Sequence, residues 1–200
     1  MDIRTKEAVR YLGYGNKPVD ELTLQMMRES FLELERISKP KHVYYTFELS
    51  FEDDESLNIG VLRVKSKKLQ TNLKDCKQAI LLCATLGADV DRMIRTLEVK
   101  DMAQALVFHA CAAAYLEEYC DDLQMKIERK LQQNHFGTRP RFSPGYGDFS
   151  IMHQKQILDM LDATKQVGVT LTDSYMLVPT KSVTAVIGII ELEETSNVTG

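Results

Sequence analysis

The period of the apolar residues changes at Pro40, and that change decides which elements the chain can combine. Before it, Leu24, Met27, Phe31, Leu34 and Ile37 recur at the 3.6-residue spacing of an amphipathic helix. Asp20 stands where it can cap that helix, which runs to about Ser38, and Pro40 stops it. After Pro40 the period is two. Val43, Tyr45, Phe47, Leu49 and Phe51 point one way, and His42, Tyr44, Thr46, Glu48 and Ser50 the other, as in a half-buried strand. A chain that switches from helix to strand period must bury both kinds of face against one another.

The remaining elements follow from similar signals. A short helix over Thr5 to Leu12 ends in the turn cluster Gly13-Tyr14-Gly15-Asn16. That cluster is not a phosphate loop, since it lacks the third glycine and the preceding strand of that motif. The acidic turn Glu52-Asp53-Asp54-Glu55 leads to a second strand over Asn58 to Val64, antiparallel to the first, and the continuous apolar run Gln78 to Thr85 reads as an inner strand. Gly87 breaks the chain, and the region from Asp89 to Lys130 is helical, divided near Lys100-Asp101 with Asp101 capping the second piece. Its alanines permit close helix packing, and His109 among them reads as a satisfied core histidine rather than a ligand. Gln132 to Asp148 has no period and reads as a long, functional loop. Ser150 then caps a helix to about Lys165, and Gly168 sits where a left-handed C-terminal residue belongs. Strands over Tyr175 to Val178 and Val183 to Ile189 flank Pro179-Thr180-Lys181-Ser182, and a polar tail runs from Glu191 to Gly200. This order predicts an α+β fold with a mostly antiparallel sheet and packed helices. Residues 1–200 are expected to form a single domain, with 1–40 as an N-terminal helical segment and 191–200 as a flexible tail.

Composition narrows the function. The chain is 44% apolar and 27% charged, enough for a sizeable core. A net charge of −4 argues against a nucleic-acid partner and against an anionic membrane surface. The basic run Arg63, Lys65, Lys67, Lys68 reads as a solvated strand end. Cys76, Cys83, Cys111 and Cys120 form no C-x-x-C pair and match no zinc or redox spacing, and Cys83 and Cys111 read as buried hydrophobes. With no signal-peptide pattern and no apolar run near 18 residues, the expected compartment is the cytoplasm. No histidine has a second ligand at i+4, and Ser143 and Ser150 have no evident histidine partner, so self-contained catalysis is not expected. The acidic residues Glu117, Glu118, Asp121 and Asp122 cover a helix flank; they are either solvated or available to an ammonium or sulfonium.

One stretch stands apart: Arg141-Phe142-Ser143-Pro144-Gly145-Tyr146-Gly147-Asp148-Phe149-Ser150. It sets a cation, a rigid Pro-Gly turn and two aromatics ahead of a helix start. Pro144 presets its φ, and Gly145 can take positive φ or let a ligand approach the backbone. Arg141 offers a planar fork of donors suited to carboxylate or phosphate, and Tyr146 an apolar face with a polar tip. Taken alone the stretch is a structural turn or a ligand loop.

The pattern Arg-x-x-Pro-Gly-Tyr, followed by a helix and by Gly168-Val169-Thr170-Leu171-Thr172-Asp173-Ser174, resembles the activation (reactivation) domain of cobalamin-dependent methionine synthase. The likeness is sharpest over Arg139 to Ser182 and looser from Ala79 to Leu123, including Leu86-Gly87-Ala88-Asp89. It implies an activation-domain-like fold that binds S-adenosylmethionine and presents its methyl group to cobalamin, so that oxidised cobalamin is reductively remethylated. At matching positions it implies Arg141 on the ligand carboxylate, Ser143 and Gly145 offering backbone groups toward adenine and ribose, and Tyr146 near the reactive end. A sulfonium on an aromatic face is worth about 0.5–2 kcal/mol. The family's cobalamin-binding motif Asp-x-His-x-x-Gly is missing, because no histidine here has an aspartate two residues earlier, and a late tyrosine of the ligand site has no counterpart. The resemblance therefore implies a stand-alone module of methionine biosynthesis, an accessory subunit rather than a self-contained enzyme. Its partners would be a cobalamin-carrying methionine synthase or corrinoid protein and a reductant protein such as a flavodoxin. The competing readings are an independent S-adenosylmethionine-dependent small-molecule methyltransferase, whose usual glycine-rich loop is missing, and an interaction module that has lost the ligand.

Overall fold

A computed structural model describes residues 1–15, 17–52 and 55–192, and these fall into two compact units. The first comprises residues 1–42, 84–122 and 167–182. Its helices are α1 (Ile3–Tyr11), α2 (Glu21–Ile37), α4 (Ala88–Lys100) and the first two-thirds of α5 (Met102–Gln132). Three aspartates start helices by accepting from first-turn amides: Asp2 from Thr5 at 2.7 Å, Asp20 from Thr23 at 2.9 Å and Asp101 from Gln104 at 3.1 Å. Asp20 and Asp101 are the caps expected from sequence. Met27, Phe31 and Leu34 of α2 are buried, as the stripe predicts, and Gln104 of α5 donates to the buried Ser30 hydroxyl at 3.0 Å. Arg4 sits over the rings of Phe31 and Tyr115 and pairs with Glu35 and Glu118. The latter is one of the acidic flank residues. A two-stranded hairpin, β6 (Thr170–Leu171) with β7 (Leu177–Val178), completes this unit.

The second unit, residues 43–83, 123–166 and 183–200, holds most of a six-stranded sheet ordered β3-β2-β1-β4-β8-β5. Its strands are β1 (Lys41–Phe51), β2 (Ser56–Ile59), β3 (Leu62–Lys65), β4 (Gln78–Thr85), β5 (Phe136–Thr138) and β8 (Ser182–Glu191). The registers of β1 on β2, β2 on β3 and β5 on β8 are antiparallel. Strand β4 is the inner strand read from sequence, buried at every position after Gln78. Ile80 and Leu82 of β4, Ile187 and Ile189 of β8, and Leu123 and Ile127 of α5 form one apolar cluster with Tyr44, Leu131 and Phe136 against it. The α+β class with packed helices and antiparallel pairing is the one the element order predicts.

Several elements differ from expectation. The strand over Asn58 to Val64 is a hairpin, because Gly60 takes φ 57° and reverses the chain between Ile59 and Leu62. The long loop after Gln132 contains β5, paired with β8 more than fifty residues on. Three residues centred on Gly137 are too short to show a period. On β1, Val43 and Leu49 are buried and Phe47 packs over Gly60, but Tyr45 and Phe51 on the same face are exposed. The helix expected from Ser150 begins later, as α6 (His153–Met160), after a turn in which Ser150 Oγ accepts from Met152 N–H at 3.3 Å. It also ends early: Asp162, at φ 47°, separates it from α7 (Ala163–Val167). Gly168 does take the left-handed conformation, at φ 75°. His109 is not a core histidine; its ring is 39% exposed and lies 3.5 Å from Glu98. Glu191 still pairs in the sheet, and Leu192 N–H donates to His135 O at 2.7 Å, while residues 193–200 of the expected tail lie outside the described residues.

Candidate functional site

The loop that follows β5 is built from a strand end, a tight turn and a helix start. Phe142 bridges to Val186 of β8 through reciprocal backbone hydrogen bonds of 2.9 and 2.8 Å, which carries the sheet register into the loop. One residue earlier, Arg141 Nη1 donates to Gln124 Oε1 on α5 at 3.0 Å. Pro144 is buried, and Gly145 follows at φ 95°, a conformation that a side chain would strain. The turn closes on itself. Gly145 N–H donates to Phe149 O at 2.7 Å, Tyr146 N–H to Ser143 O at 3.2 Å and Phe149 N–H to Tyr146 O at 3.0 Å. At the tip the Tyr146 side chain is left outside, 68% exposed.

The loop's far end is held by a carboxylate. Asp148 accepts from Ser66 Oγ at 2.6 Å, from Lys67 N–H at 2.8 Å and from Lys68 N–H at 3.3 Å. These groups open α3 (Lys67–Asn72), and Ser66 Oγ itself accepts from Leu69 N–H. The first three amides of α3, which have no partner inside the helix, are thus satisfied by two side chains, one of them about 80 residues away. The Ser66 hydroxyl and the two amides hold the Asp148 carboxyl below its usual pKa. Between Tyr146 and Asp148, Gly147 lies under the Lys68 stem, where an added Cβ would come within 2.5 Å of Cδ. Behind the turn Phe149 is buried, its ring 6.3 Å from Phe142 and 5.5 Å from His153. Burial lowers the pKa of His153.

The residues singled out from sequence, Arg141, Ser143, Gly145 and Tyr146, therefore share one loop with Arg141 at its inner end and Tyr146 at its tip. Of the backbone groups, Ser143 O and Gly145 N–H are used by the turn itself. Two residues that shape the loop escaped the sequence reading. Asp148 lay inside the motif but pointed to no partner in sequence, and Gln124 lay on a helix with nothing to mark it.

The first unit has a polar cluster of its own. Asp91, buried on α4, accepts from Thr180 N–H and Thr180 Oγ1, both at 2.8 Å. Lys181 Nζ donates to His109 O at 3.1 Å, and burial lowers its pKa against the opposing pull of Asp91. Ser182 Oγ lies 2.6 Å from Pro179 O and 2.8 Å from Thr85 Oγ1. All four cysteines are free thiols and buried, and burial pushes the Cys111 thiol up to about 12. Among the described residues no group of three or more His, Cys, Asp or Glu is placed to hold a metal ion, and no helix is long and apolar enough to cross a membrane.

Comparison with known proteins bears on this loop and on the fold around it. The crystal structure of the MetH reactivation domain bound to AdoHcy is similar to this chain, with a TM-score of 0.64 at 16% sequence identity, over 88% of this chain and 68% of that one. No curated protein sequence matches. A model of the vitamin B12-dependent methionine synthase activation domain matches residues 89–193, which include α4 from its second residue, α5, the Arg141–Ser150 loop and all of β8. That is more than half of the 200 residues, and it makes this chain a member of the vitamin B12-dependent methionine synthase activation domain family.

Proposed function

We propose that the chain binds S-adenosylmethionine on the Arg141–Tyr146 loop and holds its methyl group for transfer to a cobalamin carried by a separate methionine synthase or related corrinoid protein. Membership of the activation-domain family supports a reactivation role, and the similar solved domain is one bound to AdoHcy. The observation that carries the reading is the loop itself: a guanidinium fixed at one end, an exposed aromatic five residues on, and an open glycine between them. A Cβ built on Gly145 would meet nothing nearer than Ile151 Cδ1 at 4.0 Å, so a ligand can approach the backbone there.

The residue chemistry fits this ligand. Arg141 presents planar donors to an amino-acid carboxylate, and the Tyr146 ring presents a face to a sulfonium. A docked corrinoid, reduced by one electron from a reductant protein such as a flavodoxin, would supply the nucleophilic cobalt; the cobalt–carbon bond would form as the methyl–sulfur bond breaks, with S-adenosylhomocysteine as the leaving group. What this chain contributes is binding and aim. Arg141 fixes the amino-acid end and Tyr146 limits the positions open to the sulfonium, so geometry rather than acid–base chemistry sets the rate.

Calorimetry with S-adenosylmethionine tests the reading. Wild type gives a saturable heat, and Arg141→Ala loses about 1.5–3 kcal/mol, roughly ten- to a hundredfold in affinity, as expected for a charge-assisted pair. Equal affinities remove Arg141 from the site. No heat in either protein favours an interaction module without the ligand, and methylation of a small acceptor by the chain alone favours an independent methyltransferase.

A further inference from the structure

We infer that Gln124 is the positioning residue that sets the carboxylate-binding orientation of Arg141; this rests on the reading of Arg141 as the ligand's carboxylate anchor. Gln124 makes three hydrogen bonds, and together they allow only one orientation of its amide. Its Nε2 donates to Thr138 Oγ1 at 3.0 Å and to Arg139 O at 3.1 Å, while its Oε1 accepts from Arg141 Nη1 at 3.0 Å. A backbone carbonyl only accepts and a guanidinium only donates. Exchanging O and N would therefore set an oxygen against the Arg139 carbonyl and an NH2 against the Arg141 guanidinium. The amide has no second rotamer that serves this network.

The amide is also rigidly mounted. Gln124 lies on α5 between Leu123 and Ile127, both buried in the cluster formed with β4 and β8. The two acceptors it ties, Thr138 and Arg139, end β5 and begin the loop. One side chain thus locks the helix, the strand end and the guanidinium in a single frame. A free arginine side chain loses rotamer freedom when it clamps a carboxylate. An arginine already oriented loses less, and its planar fork meets the ligand in one direction. The device is a neutral amide, so it orients the guanidinium without adding a carboxylate of its own to compete for it.

The test compares two ligands on the full chain: S-adenosylmethionine and its decarboxylated analogue, which keeps the sulfonium and adenosine but lacks the group Arg141 holds. Titrations use wild type, Arg141→Ala, Gln124→Met and the double variant, each checked for folding by urea denaturation. Gln124→Met should weaken S-adenosylmethionine about three- to tenfold, the span of one lost hydrogen bond. It should leave the decarboxylated analogue within about twofold and add nothing in the Arg141→Ala background. Equal weakening of both ligands would make Gln124 a structural support only, and unchanged affinity for both would remove it from the site; either result overturns the inference. If Gln124→Met does not fold, Gln124→Asn takes its place, since the shorter amide cannot span β5 and Arg141 at once. The underlying reading fails separately, and Gln124's role with it, when Arg141→Ala binds S-adenosylmethionine as wild type does or when wild type binds neither ligand.

Discussion

The loop Pro179–Ser182 and the loop Arg139–Ser150 draw on the same kinds of residue, namely proline, a long cation and hydroxyls, and use them in opposite ways. In the first, the polar groups turn inward. Thr180 is held twice by the buried Asp91, Lys181 reaches the His109 carbonyl, and Ser182 lies between Pro179 O and Thr85 Oγ1. In the second, the backbone closes the turn, the side-chain hydrogen bonds gather at the two ends, Arg141 on Gln124 and Asp148 on the start of α3, and the tip leaves Tyr146 outside. A loop whose polar groups are consumed within the fold is a joint. One pinned at its ends with an aromatic in solvent leaves that side chain free of the fold, as the proposed ligand contact requires. Residue types alone do not separate these cases; the destination of each hydrogen bond does.

The largest effect expected from this contrast is at the joint. Asp91→Ala takes the shared acceptor from the exposed Thr180 and removes the negative neighbour of Lys181, whose ammonium burial already disfavours. Losing hydrogen bonds to a charged group costs about 1.5–3 kcal/mol. Urea denaturation without ligand measures it, and a loss below about 1 kcal/mol would mean that the joint is no joint.

Asp148→Asn should cost less, because Asp148 is exposed, and its effect should stay local. Asparagine can keep one acceptor for Ser66 or Lys67 but turns an NH2 toward the remaining donors. Amide exchange at Lys67 and Lys68 should quicken while the amides of β4 hold. The linkage has a definite sign. Hydrogen bonding depresses the Asp148 pKa in the fold, so its contribution is present above the ordinary aspartate value of 3.8 and is lost as pH falls below it. The variant should lack that acid limb. Uniformly faster exchange across the sheet would show that the loop and the core are not separately held.

How far these features could be read from sequence depends on how local their causes are. The Asp20 and Asp101 caps, the stripe of α2, the inner strand β4 and the left-handed Gly168 each follow from a few neighbouring residues, and the sequence reading placed them. The hairpin at Gly60 was hidden because one glycine inside an alternating run can be a bulge or a turn, and only its φ decides. Strand β5 owes its existence to β8, far along the chain, and nothing local marks it. The motif Arg141 to Tyr146 was legible as a group. Gln124 was not, since a glutamine on a helix flank reads as solvated until its partners are known, and Asp148 looked like one more acidic residue before a helix.

The smallest effect sharpens the contrast at the base of the Arg139–Ser150 loop. His153 packs on the buried Phe149 ring, whose other neighbour is Phe142, and it stands at the start of α6 rather than at the tip beside Tyr146. Burial lowers its pKa from the ordinary 6.5. Above that value the imidazole is neutral in both folded and unfolded chains and adds no pH dependence. As pH falls through 6.5 the unfolded chain takes up the proton first, and folding loses stability until the folded pKa is passed. Wild type should therefore lose more of its urea midpoint between pH 7.5 and 5 than His153→Gln, and subtracting the two profiles removes what the two proteins share. The histidine is only half-buried, so the difference should be small. At pH 7.5, S-adenosylmethionine affinity should match within about twofold, because His153 supports the turn from behind and offers nothing to the ligand. Parallel stability profiles would mean that the Phe149 stack does not disfavour the charged ring. A large loss of affinity at pH 7.5 would mean that base and tip move together, and the division between a pinned frame and an exposed tip would have to be given up.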